Sequence, residues 1–319
     1  MIKRSFSHLH VIPEYSVNQF EILTQKIKGL EKSYELKLAP SLPFLIRLDG
    51  CCFKAFTKGL QKPFDPRLTA SLIKTTEYLV DRTGARVGFC QSDEISLLVK
   101  PTPPDPTLSH TPSILYNGRV QKIASIIAGM ATNKFNQTLK SFDWSQDTAD
   151  VQHKIMHDGA YFDCRVFSVP DDTVAMQVIY WRHHYDCRRN AINTIGFHHF
   201  PHRQMHGLSV AQVLEKLAIE RNINVLESFP LENVYGSFVK RVVVPHIGYN
   251  PRTGEEVHTT RNRVEARSFD LQGEEESMIA LMTAMSWNDI DAAKNDSLHY
   301  GNEKRGFELR NIESLHNNQ

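Results

Sequence analysis

No stretch of this 319-residue chain is apolar over the about 20 residues a membrane-spanning helix requires. An excess of one charge is missing too. The 37 Lys and Arg stand against 36 Asp and Glu, a net charge of +1. That balance argues against wholesale coating of nucleic acid and leaves room for a local basic groove. Cysteine is scarce, with five residues at 51, 52, 90, 164 and 187. They show neither paired metal-ligand spacing nor a secreted disulfide framework. Adjacent Cys51 and Cys52 are poorly placed to bridge each other, so reduced thiols in an intracellular compartment, cytoplasmic or mitochondrial, are expected. The opening "MIKRSFSHLHVIP" is basic and free of acids, as organelle transit peptides are, but it is short and meets Pro13 early. No internal repeat is visible. What is there is 41% hydrophobic and 23% charged, enough for one large or two modest domains.

Hydrophobic spacing predicts the elements. Residues 14–37 read as a helix, 43–50 ("PFLIRLDG") as a buried strand ending in Asp-Gly, and 68–82 as a helix. "GARVGFC" and "EISLLV" read as two strands around "QSDE". The run 100–112 is proline-rich and reads as a loop, 117–139 is a one-faced helix, and 160–169 is a strand. The order β-α-β-β-α-β is the ferredoxin-like split βαβ arrangement, an α+β fold. Beyond it, 171–200 and 209–221 are predicted helices, the second capped by Ser209. Residues 237–269 read as a hairpin turning at 250–254. These readings divide the chain into a 1–39 extension, a 40–170 palm-like region, a 171–269 helical and hairpin region, and a 270–319 tail carrying the apolar patch "MIALMTAMSW".

In this topology the first strand and the hairpin are sheet neighbours. Asp49 then lies close to Asp93 and Glu94, which follow 44 and 45 residues later. Carboxylates brought together repel unless cations compensate. Two Mg²⁺ ions with substrate phosphates are the usual compensation, and they support phosphoryl transfer. The turn Gly50, Cys51, Cys52, Phe53 offers backbone N–H groups to phosphate. Lys54, Lys58, Lys62 and Arg67 follow, and Arg119 and Lys122 stand one turn apart at a helix start. Each of these basic residues alone reads as a solvated charge, so their concentration at one edge is the signal.

These segments resemble the tRNA-histidine guanylyltransferase family, especially its tRNA guanylyltransferase-like branch. The resemblance rests on "RLDGCCFKAFTKGLQKPFDPRL", "GFCQSDEISLLV", "RVQKIASIIAGMATNKF", "FDCRV", "WRHHYDCRRNAINT" and "GYNPRTGE" in order, over roughly residues 40–265. It implies a polymerase-like palm with two Mg²⁺ that activates a tRNA 5′ end with ATP or GTP and adds nucleotides 3′ to 5′. Asp49, Asp93 and the Gly50 carbonyl are implied as metal ligands, with Glu94 in support. Ser92, Lys122 and residues 50–54 would hold triphosphate. Lys62, Asp65 and Arg119 would meet nucleotide or the 5′ end. The family's Asp-Gly-Arg-x-Phe-His becomes Asp-Gly-Cys-Cys-Phe-Lys here, which puts the side-chain contacts of 51–54 in doubt. Where histidine-specific enzymes carry His-Ile-Asn-Asn-Leu-Tyr-Asn-Thr, this chain has "RRNAINT". Arg188, Arg189, Asn190 and Asn193 are thereby implied as tRNA contacts, and template-dependent repair of 5′-truncated tRNA is favoured over G−1 addition to tRNA-histidine. A catalytically silent tRNA-binding protein and a palm-type nucleotide cyclase are the rival readings. A homotetramer is implied by the family.

Three further signals are read as structural or left open. The cluster "HHFPHRQMH" lacks metal-site register and reads as a polar loop. Trp181 and Tyr185, at i and i+4, read as packing aromatics. Arg261, Arg263 and Arg267 alternate along a predicted strand, either as a solvated face or as phosphate contacts.

Overall fold

In the computed structural model the described residues are 17–101 and 114–293. The expected loop from 102 on, the opening segment 1–16 and the end of the tail from 294 lie outside them. Six antiparallel strands form one sheet: β1 Phe44–Gly50, β2 Val87–Gln91, β3 Glu94–Val99, β4 Phe162–Ser168, β5 Ser237–Tyr249 and β6 Glu256–Arg267. Their spatial order is β4-β1-β3-β2-β5-β6. The first four give the ferredoxin-like order expected from sequence. The hairpin β5–β6 joins β2, so the sheet continues across residue 170.

Helix α1 (Val17–Ser33) precedes the sheet, α2 (Pro66–Thr83) links β1 to β2, and α3 (Val120–Lys140) links β3 to β4. Asp65 starts α2 by accepting from the Arg67 N–H at 3.0 Å, Pro66 suits the first turn, and Gly84 ends it at φ +73°. In α3 the buried stripe Ile123, Ile127, Ala131, Phe135 and Leu139 repeats every four residues, as the sequence predicts. Both helices cover one sheet face, against Phe44, Ile46, Leu48, Ile95 and Leu97. Gly88 permits this approach, because a Cβ there would lie 2.7 Å from Thr76 Cγ2.

The opposite face is covered by later elements. Helix α4 (Asp172–Tyr180) runs through a π-helical turn, Trp181–Cys187, into α5 (Arg188–His199). Then come α6 (Val210–Arg221), α7 (Glu275–Thr283) and α8 (Trp287–Ala293). Ser209 and Gln212 form a capping box at α6. The apolar patch of the tail becomes core: Leu281, Met282 and Trp287, joined by Ile290 just beyond it, pack with Leu45, Phe89, Leu98 and Phe238. Lys240, fully buried, donates to the carbonyls of Arg86, Leu281 and Ala284 at 2.7, 2.9 and 2.8 Å, tying β5 to the end of α7. His183, also fully buried, bonds the Tyr235 carbonyl through Nδ1 and accepts from the Leu271 N–H at Nε2, both at 2.9 Å. A third cluster, around Ile192, Ile195, Val213 and Leu217, packs α5 against α6.

Candidate active site

Strand pairing builds the site row by row. Asp49 on β1 sits opposite Glu94 on β3 and opposite Asp163 on β4. Two residues back, Arg47 sits opposite Arg165. Opposed residues share a sheet face, so an acidic row, Asp163-Asp49-Glu94, lies beside a basic pair, Arg165-Arg47. The next residues of the chain turn away. Ser92 and Asp93 form the two-residue β2–β3 turn, with Ser92 in the left-handed region at φ 60°.

Gly50 is required by this packing. Its N–H donates to the Asp93 carbonyl at 3.0 Å, and a Cβ on it would come within 2.4 Å of Phe53 Cδ2 and 2.9 Å of Asp93 Cβ. The chain then bends through Cys51, whose N–H donates to Tyr161 at 2.8 Å, and left-handed Cys52 at φ 53°. Cys51, Cys52 and Lys54 are exposed, whereas Phe53 is buried against Phe56, Phe135 and Phe162.

The charges are unevenly compensated. Glu94 accepts from Arg47 at 2.8 Å and from Arg182 of the π turn at 3.0 Å. Arg182 also donates to Asp186 at 2.5 Å, and Arg189 donates to the other oxygen of Asp186 at 3.0 Å. Burial raises the Glu94 pKa against the pull of these two guanidiniums. Asp49 has only loose partners, Arg47 at 3.5 Å and Arg165 at 3.9 Å. Asp93 has no cation within ion-pair distance among the described residues and accepts from the Ser92 hydroxyl at 3.1 Å. Burial, reinforced by the charges of Asp49 and Glu94, pushes its carboxyl up to about 6.

Among the described residues no group of three or more His, Cys, Asp or Glu side chains forms a metal cage, the histidine cluster at 198–206 included. Asp49 and Asp93 nevertheless suit a hard divalent cation. They are oxygen donors that repel each other and lack a strong cationic partner, and the Gly50 backbone adjoins both. Glu94 does not suit direct ligation, because two guanidiniums engage its oxygens.

The other expected site residues fall in several places. Ser92 adjoins Asp93, and Lys62 is exposed. Asp65 is buried and fully engaged: it caps α2 and takes Arg67 at 2.8 Å, while Arg67 also binds Asp147 at 2.7 Å. Arg119 opens α3 and pairs with Glu35 at 3.6 Å, and the Lys122 ammonium lies 5.7 Å from the Tyr116 ring. Arg188 lies 5.6 Å over the Tyr235 ring, Asn190 is exposed and Asn193 half-buried on α5.

Trp181 and Tyr185 pack on each other, ring centroids 5.9 Å apart, but at the surface rather than in the core. They are 48% and 55% exposed, under the guanidiniums of Arg182 and Arg189 at 4.9 and 5.5 Å. Arg267 packs on Trp287 and binds Asp291 at 2.9 Å, so it anchors α8. Sequence reasoning missed Arg47, Arg165, Arg182 and Asp186. Two signals were available: Arg47 lies two residues before Asp49 on one strand face, and Arg182 and Asp186 lie at i and i+4.

Comparison with known proteins gives the same architecture. A family model described as tRNAHis guanylyltransferase (Thg1) matches residues 24–170. Uncharacterized protein R259 of Acanthamoeba polyphaga mimivirus is 32% identical over 234 residues, which cover 70% of this chain and 78% of that protein. A bacterial tRNA(His) guanylyltransferase (Thg1)-like protein, solved in complex with ATP, is 31% identical with a TM-score of 0.59, covering 68% of this chain and 87% of its own. The tRNA(His) guanylyltransferase of Saccharomyces cerevisiae shares the fold at 21% identity and a TM-score of 0.54, over 66% of this chain and 91% of its own.

Proposed function

Because this chain belongs to the tRNA-histidine guanylyltransferase superfamily, whose members are nucleotidyltransferases, we propose that it adds nucleotides 3′ to 5′ at the 5′ end of tRNA, repairing truncated ends against the opposite strand. The observation that carries this reading is Asp93, a carboxylate beside Asp49 with no cation paired to it among the described residues, in a site otherwise rich in guanidinium. Asp49, Asp93 and the Gly50 carbonyl would hold two Mg²⁺. Bound there, Mg²⁺ supplies charge neutralisation for a triphosphate and acidifies an attacking hydroxyl. Arg47 and Arg182 hold and neutralise Glu94, which leaves Asp49 and Asp93 as the carboxylates for the cations. The backbone of 50–53, Lys54, Ser92 and Lys122 would receive the triphosphate of ATP, GTP or another nucleoside triphosphate. Lys62 and Arg119 would meet the 5′ end. The buried Phe53 ring and the capped Asp65 would serve by shaping the loop rather than by touching nucleotide.

Template-dependent repair is favoured over tRNA-histidine specificity by "RRNAINT" at Arg188–Thr194. Arg188, Arg189, Asn190 and Asn193 would contact tRNA from this segment, in a homotetramer. The second reading, G−1 addition to tRNA-histidine alone, is favoured by the description of the matching family model. The test is incubation with 5′-monophosphorylated, 5′-truncated tRNAs in which the base opposite the gap is varied. Addition of the complementary nucleotide in each case supports repair. Addition of G to tRNA-histidine only reverses the choice of branch, and tRNA binding without any addition points to a silent protein.

A further inference from the structure

The π turn Trp181–Cys187 sorts its side chains to opposite sides. His183, Asp186 and Cys187 are buried, whereas Trp181 and Tyr185 stand out into solvent. Two large aromatic rings left in water forgo the burial that stabilises such residues. Their planes are inclined at 32° and their centroids lie 5.9 Å apart, so they form one tilted slab. Turns of this kind inside helices occur frequently at functional sites.

The slab is bordered by fixed cations. Arg182 lies 4.9 Å from the Trp181 ring and Arg189 lies 5.5 Å from the Tyr185 ring. Asp186 accepts from both guanidiniums and so holds both beside the rings. Arg182 also donates to Glu94 at 3.0 Å, which joins the slab to the acidic row of Asp49 and Glu94 through one side chain. Arg189 remains 44% exposed, and the next residue, Asn190, is exposed as well.

We propose that Trp181 and Tyr185 stack the unpaired template bases of a 5′-truncated tRNA. In such a substrate the 3′-strand bases opposite the gap have no partner, and they lie beside the end being extended. Aromatic rings flanked by guanidiniums offer these bases a stacking surface and their phosphates a positive border. The direct link to the acidic row places this surface at the site of addition. Two half-exposed rings offer roughly 200 Å², far short of the about 800 Å² per partner of a stable protein interface. Stacking also tolerates any base, because every base has a π face, and a template reader must accept all four. The inference rests on the repair reading above and supplies what that reading lacks, a holder for the template strand.

The test is titration of the full-length chain with two 5′-monophosphorylated tRNAs, one lacking its first nucleotide and one with a complete acceptor stem. No nucleoside triphosphate is present, so binding is read without addition. Trp181 is the exposed one of the three tryptophans, since Trp144 and Trp287 are buried. The truncated tRNA is expected to quench its fluorescence, and the quench to vanish in Trp181→Phe. Trp181→Ala and Tyr185→Ala are each expected to weaken binding of the truncated tRNA at least about fivefold, and of the complete tRNA less than about twofold. Tm and assembly mass stay unchanged. Trp181→Phe keeps a ring and is expected to bind within about threefold of the unmodified chain.

Unchanged affinity in both alanine variants, or absence of the quench, overturns the proposal. Equal losses with the two tRNAs also overturn it, because the rings then hold a part common to both. A lowered Tm that accounts for the loss assigns the rings to packing, and a changed assembly mass assigns them to a second copy of the chain; either sinks the template role. Gap-dependent binding without nucleotide addition refutes the proposed function and leaves the platform standing. Addition by a chain indifferent to both alanine substitutions does the reverse.

Discussion

Arg182 and Glu94, 88 residues apart in sequence, are joined by a 3.0 Å charged hydrogen bond between the π turn and the start of β3. Arg47 reaches the same carboxylate from β1 at 2.8 Å. Two guanidiniums on Glu94 leave Asp93 with none, although the two acids are neighbours in the chain. The site therefore divides adjacent carboxylates into one neutralised by the protein and one left to an external cation.

That division predicts opposite effects on activity and stability. Asp93→Asn and Asp49→Asn are each expected to lower nucleotide addition at least about 100-fold in single-turnover assays. Asp93→Asn is also expected to stabilise the metal-free fold. A carboxyl raised to about 6 when folded favours folding only in its protonated form, so its penalty grows from pH 4 through pH 6 and is complete above. In EDTA the variant gains about 1–2 kcal/mol over the unmodified chain at pH 8, a difference that closes near pH 4. Equal urea midpoints at both pH values would contradict this.

Arg182→Met removes the donor shared by Glu94 and Asp186, both largely buried. A cost of about 1.5–3 kcal/mol is expected in urea unfolding, as for hydrogen bonds to charged groups. Arg182→Lys keeps the charge but loses the planar fork, so it recovers only part of the loss. Full recovery would mean that charge alone holds Glu94.

Asp65 separates capping from nucleotide contact. Burial pushes its carboxyl up, but the hydrogen bonds and charge of Arg67 outweigh this and hold it below the usual range. A depressed carboxylate stabilises the fold above its unfolded pKa and loses that contribution as pH falls through the folded value. Asp65→Asn loses the charged pairing with Arg67 and should unfold more easily by about 1–2 kcal/mol at pH 7. Its stability should also fall less steeply than that of the unmodified chain below pH 4. A variant of unchanged stability but weakened triphosphate binding would show that Asp65 serves the nucleotide instead.

Lys240→Met leaves three carbonyls, one buried and two half-buried, without their donor. A destabilisation of about 1–3 kcal/mol is expected in urea unfolding, with hydrogen exchange accelerating first in α7. Uniform acceleration would show that Lys240 supports the sheet as a whole rather than the docking of α7.

Some of this was legible without coordinates because it depends on local chemistry. The four-residue stripe of α3, the Ser209 cap, and the turn at Ser92 and Asp93 are each decided within a few residues of chain. The meeting of Asp49 with Asp93 and Glu94 follows once the β-α-β-β-α-β order is recognised, since that topology makes β1 and β3 neighbours. The exposure of Trp181 and Tyr185 was not legible for a definite reason. Spacing of i and i+4 gives a common face on an α-helix but not which face is covered, and the π turn changes the register by an extra residue per turn. Arg182 and Asp186 face inward there, and the aromatics face out.

The sequence by itself determined the β-α-β-β-α-β order and the acidic residues at the end of β1 and in the β2–β3 turn, because periodicity and capping act over short range. The tertiary structure alone decided which arginine neutralises which acid. That choice joins β1, β3, β4 and the π turn, four segments whose proximity is set by sheet order and core packing. Charge pairing of this kind is a through-space property, and no spacing along the chain encodes it.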